Sequence, residues 1–310
     1  MIDPRLQMLQ MVAQHGTVTQ AAAVLHYTPS TVSHQLKQLA GELRVPLLEQ
    51  HGRRVRLTPA ARTLLRHVEK MTAQWEQARS DLEAQTDTVS GTLSLCGFST
   101  AASVLLPKTM LALNREFPEL STRMIEAEPA ECYDLILAGE ADMGIVVLTS
   151  STPPQSDARF EQRHLIDDPL DLMVPLGHRL AERSRVSLAE AAGERWIVGR
   201  PGTTYYQLVM GSCTAAGFTP DIAHHADEWE TGTALVADGF GVCLVSRLAQ
   251  WPDNHPVMRI PLRGAHTPAR RVVVVTRAGA QGRKSIELAL SVLTQTAGRL
   301  MDSLRADLGG

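Results

Sequence analysis

The sequence predicts a multidomain chain: an all-α winged helix-turn-helix head, a long linking helix, and an α/β C-terminal part. Three observations carry this reading. Helix caps and prolines punctuate the first sixty residues at the spacing of short helices. An apolar repeat alternating three and four residues runs from Ala61 to Gln85. Beyond Gly91, short apolar runs alternate with amphipathic stretches, the pattern of strands and helices building α/β sheets. The predicted boundaries are 1–58 for the head, 59–87 for the linker helix and 91–310 for the remainder.

Within the head, Asp3-Pro4 supplies an N-cap and a proline at the first helical position, where its missing N–H costs nothing. This first helix is predicted to run to about Gln14 and to stop at Gly16. Thr17-Val18-Thr19-Gln20 reads as a capping box, with Thr17 bonding forward and Gln20 reaching back. It opens a short helix through Ala21, Ala22 and Leu25, whose small residues allow close packing. Tyr27-Thr28-Pro29 gives a turn, a second cap and a second N1 proline, launching a helix to about Leu43. Val32, Leu36, Leu39 and Leu43 form its predicted buried stripe.

Ser30, Ser33, His34 and Lys37 lie on roughly the opposite side of that helix. Short hydroxyls, an imidazole and a lysine are suited to base edges and phosphates in a major groove. A solvated face is the plain alternative for four polar residues alone. The helix-turn-helix context favours DNA contact. Gly52-Arg53-Arg54-Val55-Arg56-Leu57 reads as a β wing presenting cations to the flanking backbone or minor groove. Charge agrees with this placement. The whole chain has a formal charge of −3, but residues 1–66 carry eight basic and three acidic side chains, a net +5.

Ala21-Ala22, Thr28-Pro29-Ser30-Thr31-Val32-Ser33-His34-Gln35-Leu36, Leu43-Arg44-Val45-Pro46-Leu47-Leu48 and Arg53 to Ala60 together resemble the winged helix-turn-helix of LysR-type transcriptional regulators. The resemblance implies Thr28, Pro29, Ser30, Thr31, Ser33, His34 and Lys37 as the reading helix, with Arg53, Arg54 and Arg56 on the wing. The family usually has glutamate at Ala40, glycine at Arg44, phenylalanine at Leu48, arginine at Gln50 and glycine at Ala61. These departures fall at packing, turn and wing positions.

Thr58-Pro59 caps the linker helix, predicted to reach about Thr86. Ala61, Leu64, Val68, Met71, Trp75, Ala78, Leu82 and Gln85 form a heptad seam, and Leu64 to Leu82 are read as dimerising residues with Trp75 as anchor. Packing on its own chain is the alternative. The resemblance implies the same pairing helix, tetramers bridging two DNA sites, a dyad-symmetric promoter operator and contact with RNA polymerase.

In the C-terminal part, strands are expected at 92–96, 120–126, 143–148, 170–174, 196–198, 241–245 and 271–276. Helices are expected at 101–115, 131–137, 205–216, 231–237 and 285–304. The resemblance implies an effector domain similar to periplasmic solute-binding proteins, with lobe I at 91–166 plus 268–310 and lobe II at 167–267. Small effectors would bind where strands end and helices begin, and helix N-termini suit anions. Ser99, Thr100, Thr149, Thr203, Thr204 and Trp229 are the candidate effector residues, with simple N-capping as the alternative for the hydroxyls and a core position for Trp229.

Other chemistry is excluded or disfavoured. No G-x-S-x-G, Walker or H-E-x-x-H pattern occurs, so no catalytic residue or cofactor is expected. His224-His225 with Glu228 suggests a metal, but adjacent strand residues point to opposite faces, so no metal site is expected. Cys213 in a predicted helix resembles the peroxide-sensing regulators of the family, whose second cysteine follows closely. Here the next is Cys243, and all four thiols are read as buried and inert. Scattered cysteines without C-x-x-C, no leader-like start and no membrane-length apolar run predict a cytoplasmic protein. A solute-binding protein or a cytosolic enzyme with a two-lobed cleft are the readings from other classes.

Overall fold

A computed structural model describes residues 3–307, apart from 53, 87, 252–254 and 265–266. The head holds α1 (Pro4–His15), α2 (Val18–Val24) and α3 (Pro29–Leu43), followed by β1 (Leu48–His51), β2 (Arg54–Leu57) and α4 (Pro59–Ala84). The predicted caps form: the Asp3 carboxylate accepts from the Arg5 N–H, and Thr28 and Thr58 accept from the N–H groups of Thr31 and Ala61. Thr17 caps α2, but the reciprocal half of its box differs, because Gln20 accepts from the Thr17 hydroxyl at 3.0 Å. Leu9, Met11, Ala21, Ala22, Val32, Leu36 and Leu39 close the head core. Leu43 does not join it. It is the last residue of α3 and stays 44% exposed where the chain turns away.

The linker helix α4 serves two neighbours. Ala61 and Leu65 are buried in the head core, with Leu64 packed against it, and Val68 is buried as well. The first half of the heptad is therefore consumed within its own chain, and Val68 is not available to a partner in this arrangement. Further along, Met71, Trp75 and Leu82 are exposed and Ala78 is half-buried. The face that α4 buries there is polar, through Glu76 and Ser80.

The α/β part comprises β3 (Gly91–Gly97), α5 (Ser99–Val104), α6 (Leu106–Glu116), β4 (Leu120–Glu126), α7 (Pro129–Ala138), β5 (Met143–Val147) and β6 (Phe160–Pro175). It continues with β7 (Arg195–Val198), α8 (Thr204–Ala215), β8 (Asp221–His225), α9 (Trp229–Ala237), β9 (Cys243–Ser246), β10 (Val257–Ile260), β11 (Ala269–Arg277) and α10 (Lys284–Asp307). One sheet runs β10-β6-β11-β5-β3-β4, with β9 also paired to β6. β3 is parallel to both β4 and β5, whereas β11 is antiparallel to β5 and β6. The shorter pair β7-β8 is parallel and bonded through Ile197 and Val242 to the segment before β9.

Four apolar clusters result among the described residues, and the two largest are the centres that frame the cleft. Leu93, Leu95, Ile145, Val272, Val274 and Ile286 belong to one, and Leu170, Leu172, Trp196, Val198, Val209 and Leu244 to the other. The sixteen-residue strand β6 joins them: its first part pairs β11 and its last part pairs β9 and β10. Only its end was expected, because Arg163, His164, Asp167 and Asp168 interrupt the apolar pattern. The helix expected at 101–115 is broken at Leu105, since Pro107 lacks a donor and opens a new helix. Among the described residues, no helix is long and apolar enough to cross a membrane.

Candidate nucleic-acid interface and effector cleft

The Thr28 hydroxyl caps α3 and also meets the hydroxyls of Ser30, at 2.9 Å, and Thr31, at 2.8 Å, so these three order the helix start. Pro29, Ser30, His34 and Lys37 are exposed, and Thr31 and Ser33 are half-buried. Ser33, His34 and Lys37 have no hydrogen-bond partner among the described residues. Beside them the wing is a tight hairpin, with Glu49 opposite Arg56 and His51 opposite Arg54, turned by Gly52 at φ +62°. Arg56 is exposed; Arg53 and the Arg54 side chain lie outside the described residues.

Between α3 and the wing lies an open groove of about 810 Å³, lined by Ser33 and Lys37 from the helix and Glu49, Gln50 and Gly52 from the wing. Ser30 and His34 sit outside this groove, further along the exposed face. Glu49 and Gln50 were missed by sequence reasoning, although their place before a glycine turn is a hairpin signal.

A second concavity lies where the two apolar centres of the α/β part meet. It is a small cavity of about 70 Å³, and Ser99, Thr100, Thr204 and Trp229 line it as expected. Thr149 and Thr203 do not. Thr149 turns into its own loop, bonded to Ser151 at 2.8 Å, and Thr203 caps α8 while donating to the Arg200 carbonyl at 2.9 Å. In this arrangement those two hydroxyls are engaged locally and stand outside the cavity lining.

The walls are aromatic and the latch is polar. Trp229 Nε1 donates to Thr100 Oγ1 at 3.1 Å, and Tyr205 meets Trp229 edge-on with centroids 5.0 Å apart. The Tyr205 hydroxyl donates to the Leu244 carbonyl, and burial pushes this phenol well up. Arg270 also lines the cavity. Its Nε and Nη2 donate to the buried carboxylate of Asp168 at 2.8 and 2.6 Å, and Nη2 also donates to Ser246. The guanidinium lies 4.9 Å from the Phe98 ring centroid and 5.9 Å from that of Trp229.

Glu128 and Asp227 line the cavity too. Asp227 is matched by Arg200, whose backbone N–H and guanidinium hold its carboxyl below the usual range. Phe98, Glu128, Tyr205, Asp227 and Arg270 were not foreseen. Of these, Arg270 left a trace, because Asp167-Asp168 and Arg270-Arg271 are complementary pairs in two apolar strands, and they stand opposite in register.

The four cysteines are buried, and none lines the cleft cavity. Burial pushes the Cys213 and Cys243 thiols up to about 12, and hydrogen bonding with Cys96 raises Cys132 further. His224 and His225 diverge as expected for neighbours on β8: His225 Nδ1 meets the Gly199 carbonyl at 2.8 Å and His224 packs on Phe240. No group of three metal-ligating side chains occurs among the described residues.

A polar-faced helix beside a basic wing, joined by a long helix to a two-centred α/β domain with a cleft, defines a class of DNA-binding regulator. Comparison with known proteins agrees. The family described as bacterial regulatory helix-turn-helix protein, lysR family, matches residues 4–62, and the LysR substrate binding domain matches residues 86–298. The DNA-binding transcriptional dual regulator OxyR of Escherichia coli is 30% identical, covering 98% of this chain and 95% of its own length. The hydrogen peroxide-inducible genes activator of Pectobacterium carotovorum is 28% identical over 96% of this chain and 98% of its own. An OxyR mutant of Corynebacterium glutamicum shares the fold at a TM-score of 0.63 and 20% identity, over 98% of this chain and 94% of that one. The chain belongs to the LysR family, and it is a DNA-binding transcriptional regulator rather than an enzyme.

Proposed function

We propose that this regulator reads a dyad-symmetric promoter operator with Ser30, Ser33, His34 and Lys37, after Thr28, Pro29 and Thr31 have set the start of the reading helix. Arg53, Arg54 and Arg56 neutralise flanking phosphates. The observation that carries this is the polar face of α3, on which Ser33, His34 and Lys37 have no partner among the described residues and Ser33 and Lys37 line the groove beside the wing. Met71, Trp75, Ala78 and Leu82 form the dimer seam, two dimers make the DNA-bound tetramer, and RNA polymerase is the downstream partner in a cytoplasmic setting. A small effector held by Ser99, Thr100, Thr204 and Trp229 shifts the balance between lobe arrangements.

The test is a titration of the purified chain with a promoter fragment taken from beside its gene. Sequence-dependent, salt-sensitive binding is expected, with Lys37→Ala lowering the salt slope by about one. Absence of such binding would sink the reading.

Peroxide sensing, named for several relatives, is the second reading. Against it stand thiols that are buried, raised by burial and absent from the cleft lining, whereas a peroxide-reactive cysteine needs an accessible thiolate.

A further inference from the structure

Arg270 is over nine-tenths buried, yet its hydrogen bonding is incomplete. A guanidinium has five N–H donors. Nε and Nη2 are committed to Asp168 and Ser246, and Nη1 has no partner among the described residues. Nη1 is not enclosed but opens on the cavity that the residue lines, and a cationic donor facing a cavity while its neighbours are bonded marks a place for an acceptor. The cavity that Arg270 lines is also lined by Ser99 and Thr204, whose hydroxyls have no partner among the described residues either.

We infer that the cleft binds a carboxylate of one or two carbons, with one oxygen accepting from Arg270 Nη1 and the Ser99 and Thr204 hydroxyls donating to the carboxylate. This rests on the effector-regulated reading above and names the chemical class its cleft accepts. Size sets the first limit: about 70 Å³ is roughly two water volumes. The rings of Phe98, Tyr205 and Trp229 leave an apolar wall for a methyl group. Charge sets the second. The N-terminal residues of α7, α8 and α9 (Pro129, Thr204 and Trp229) all line the cavity, adding positive dipole character to the guanidinium.

Three carboxylates bear on an anion here. Asp168 already neutralises Arg270, so Nη1 contributes a directed donor while the helix N-termini supply the remaining positive character. Asp227 already has Arg200 as counter-charge. Glu128 is exposed at the rim, where water screens it.

The position of Arg270 links occupancy to lobe geometry. It stands on β11 opposite Asp168 on β6, close to the point where β6 passes from one apolar centre to the other, and Ser246 ends β9. Phe98 and Trp229, which flank its guanidinium, come from opposite sides of the cleft, and the Trp229–Thr100 hydrogen bond spans it. A carboxylate on Nη1 therefore binds best in the latched arrangement, and preferential binding is what shifts a population.

Calorimetric titration of the full chain tests this, with sodium acetate, acetamide and methylammonium chloride at matched ionic strength. Saturable acetate binding is expected, with no binding of the other two. Asp168→Asn combined with Arg270→Gln removes both buried charges together and is expected to weaken acetate at least about tenfold. Ser99→Ala, which leaves the buried pair intact, is expected to weaken it by a smaller factor. Absence of saturable acetate binding, equal binding of acetamide, binding of methylammonium, or unchanged affinity in Ser99→Ala and the double variant each overturns the assignment. Promoter binding is read separately, so its loss would count against the DNA-reading function while leaving the ligand result standing.

Discussion

Arg44 shows how one residue can be out of step with its place. It follows α3 at φ +56°, in the left-handed region, with its own N–H bonded to the Gly41 carbonyl and the next N–H, from Val45, bonded to Ala40. That is a Schellman ending, which favours glycine because a Cβ crowds the backbone there. The family pattern has glycine at this position, and the arginine stands out already in the sequence. Arg44→Gly is expected to raise unfolding stability by about 0.5–1 kcal/mol, the relief at positive φ exceeding the entropy glycine loses on folding. Chemical denaturation checks this, and an unchanged or lower midpoint would contradict it. At Thr149 and Thr203 the same scale explains why hydroxyls expected at the cleft stand in local hydrogen bonds instead. A hydroxyl after a strand or before a helix has two competing uses, and spacing does not distinguish a cap from a ligand contact.

At the scale of elements, α4 divides its heptad between two tasks. Ala61 and Val68 are buried on their own chain, while Met71, Trp75 and Leu82 remain exposed along the distal half. The periodicity was legible because helical spacing is a local property, but which neighbour covers the stripe is not. A bare tryptophan beside methionine and leucine is costly in water and is the natural anchor of the proposed seam. Trp75→Glu is expected to convert dimers to monomers in sedimentation equilibrium while leaving the helix content intact. An unchanged oligomer would show that the seam lies elsewhere. The strand β6 makes the converse point. Its charged first half hid it from pattern reading, because the partners that satisfy those charges, Arg270 and Arg271, lie about a hundred residues away.

Across the whole molecule, the head and linker are tied to the effector domain by polar contacts distant in sequence. Glu76 on α4 accepts from Arg277 at 2.8 Å, Arg277 and Arg283 share Asp142, and Arg283 reaches Glu83 at 3.1 Å. Gly279 lies so close to α4 that a Cβ would stand 2.3 Å from the Ala73 carbonyl oxygen. The head docks separately, through Gln7 to the Leu137 carbonyl at 3.0 Å, Arg159 to Gln14 at 2.8 Å, and His15 to Asp134 at 3.2 Å. Burial raises the Asp134 carboxyl, partly offset by His15 and Arg159. Because its folded pKa lies above the unfolded value, its contribution is fully present below the unfolded pKa and is lost as pH rises through the folded one. Asp134→Asn is therefore expected to flatten the pH dependence of stability in the acidic range and to stabilise the docked head at neutral pH. Melting curves between those conditions, run beside wild type, decide it; an unaltered profile would remove Asp134 from the interface energetics.

The sequence by itself determined the local parts: the caps at Asp3, Thr17, Thr28 and Thr58, the polar face of α3, the glycine-turned wing and the apolar strands. Each follows from neighbouring residues, through hydrogen bonds and periodicities that close within a few positions. Only the tertiary structure decided which hydroxyls reach the cleft, that Arg270 stands there with Asp168, and how α4 shares its faces. Those outcomes depend on which distant groups are present to satisfy a buried charge or cover an apolar stripe, and that pairing exists only once the strands have come into register.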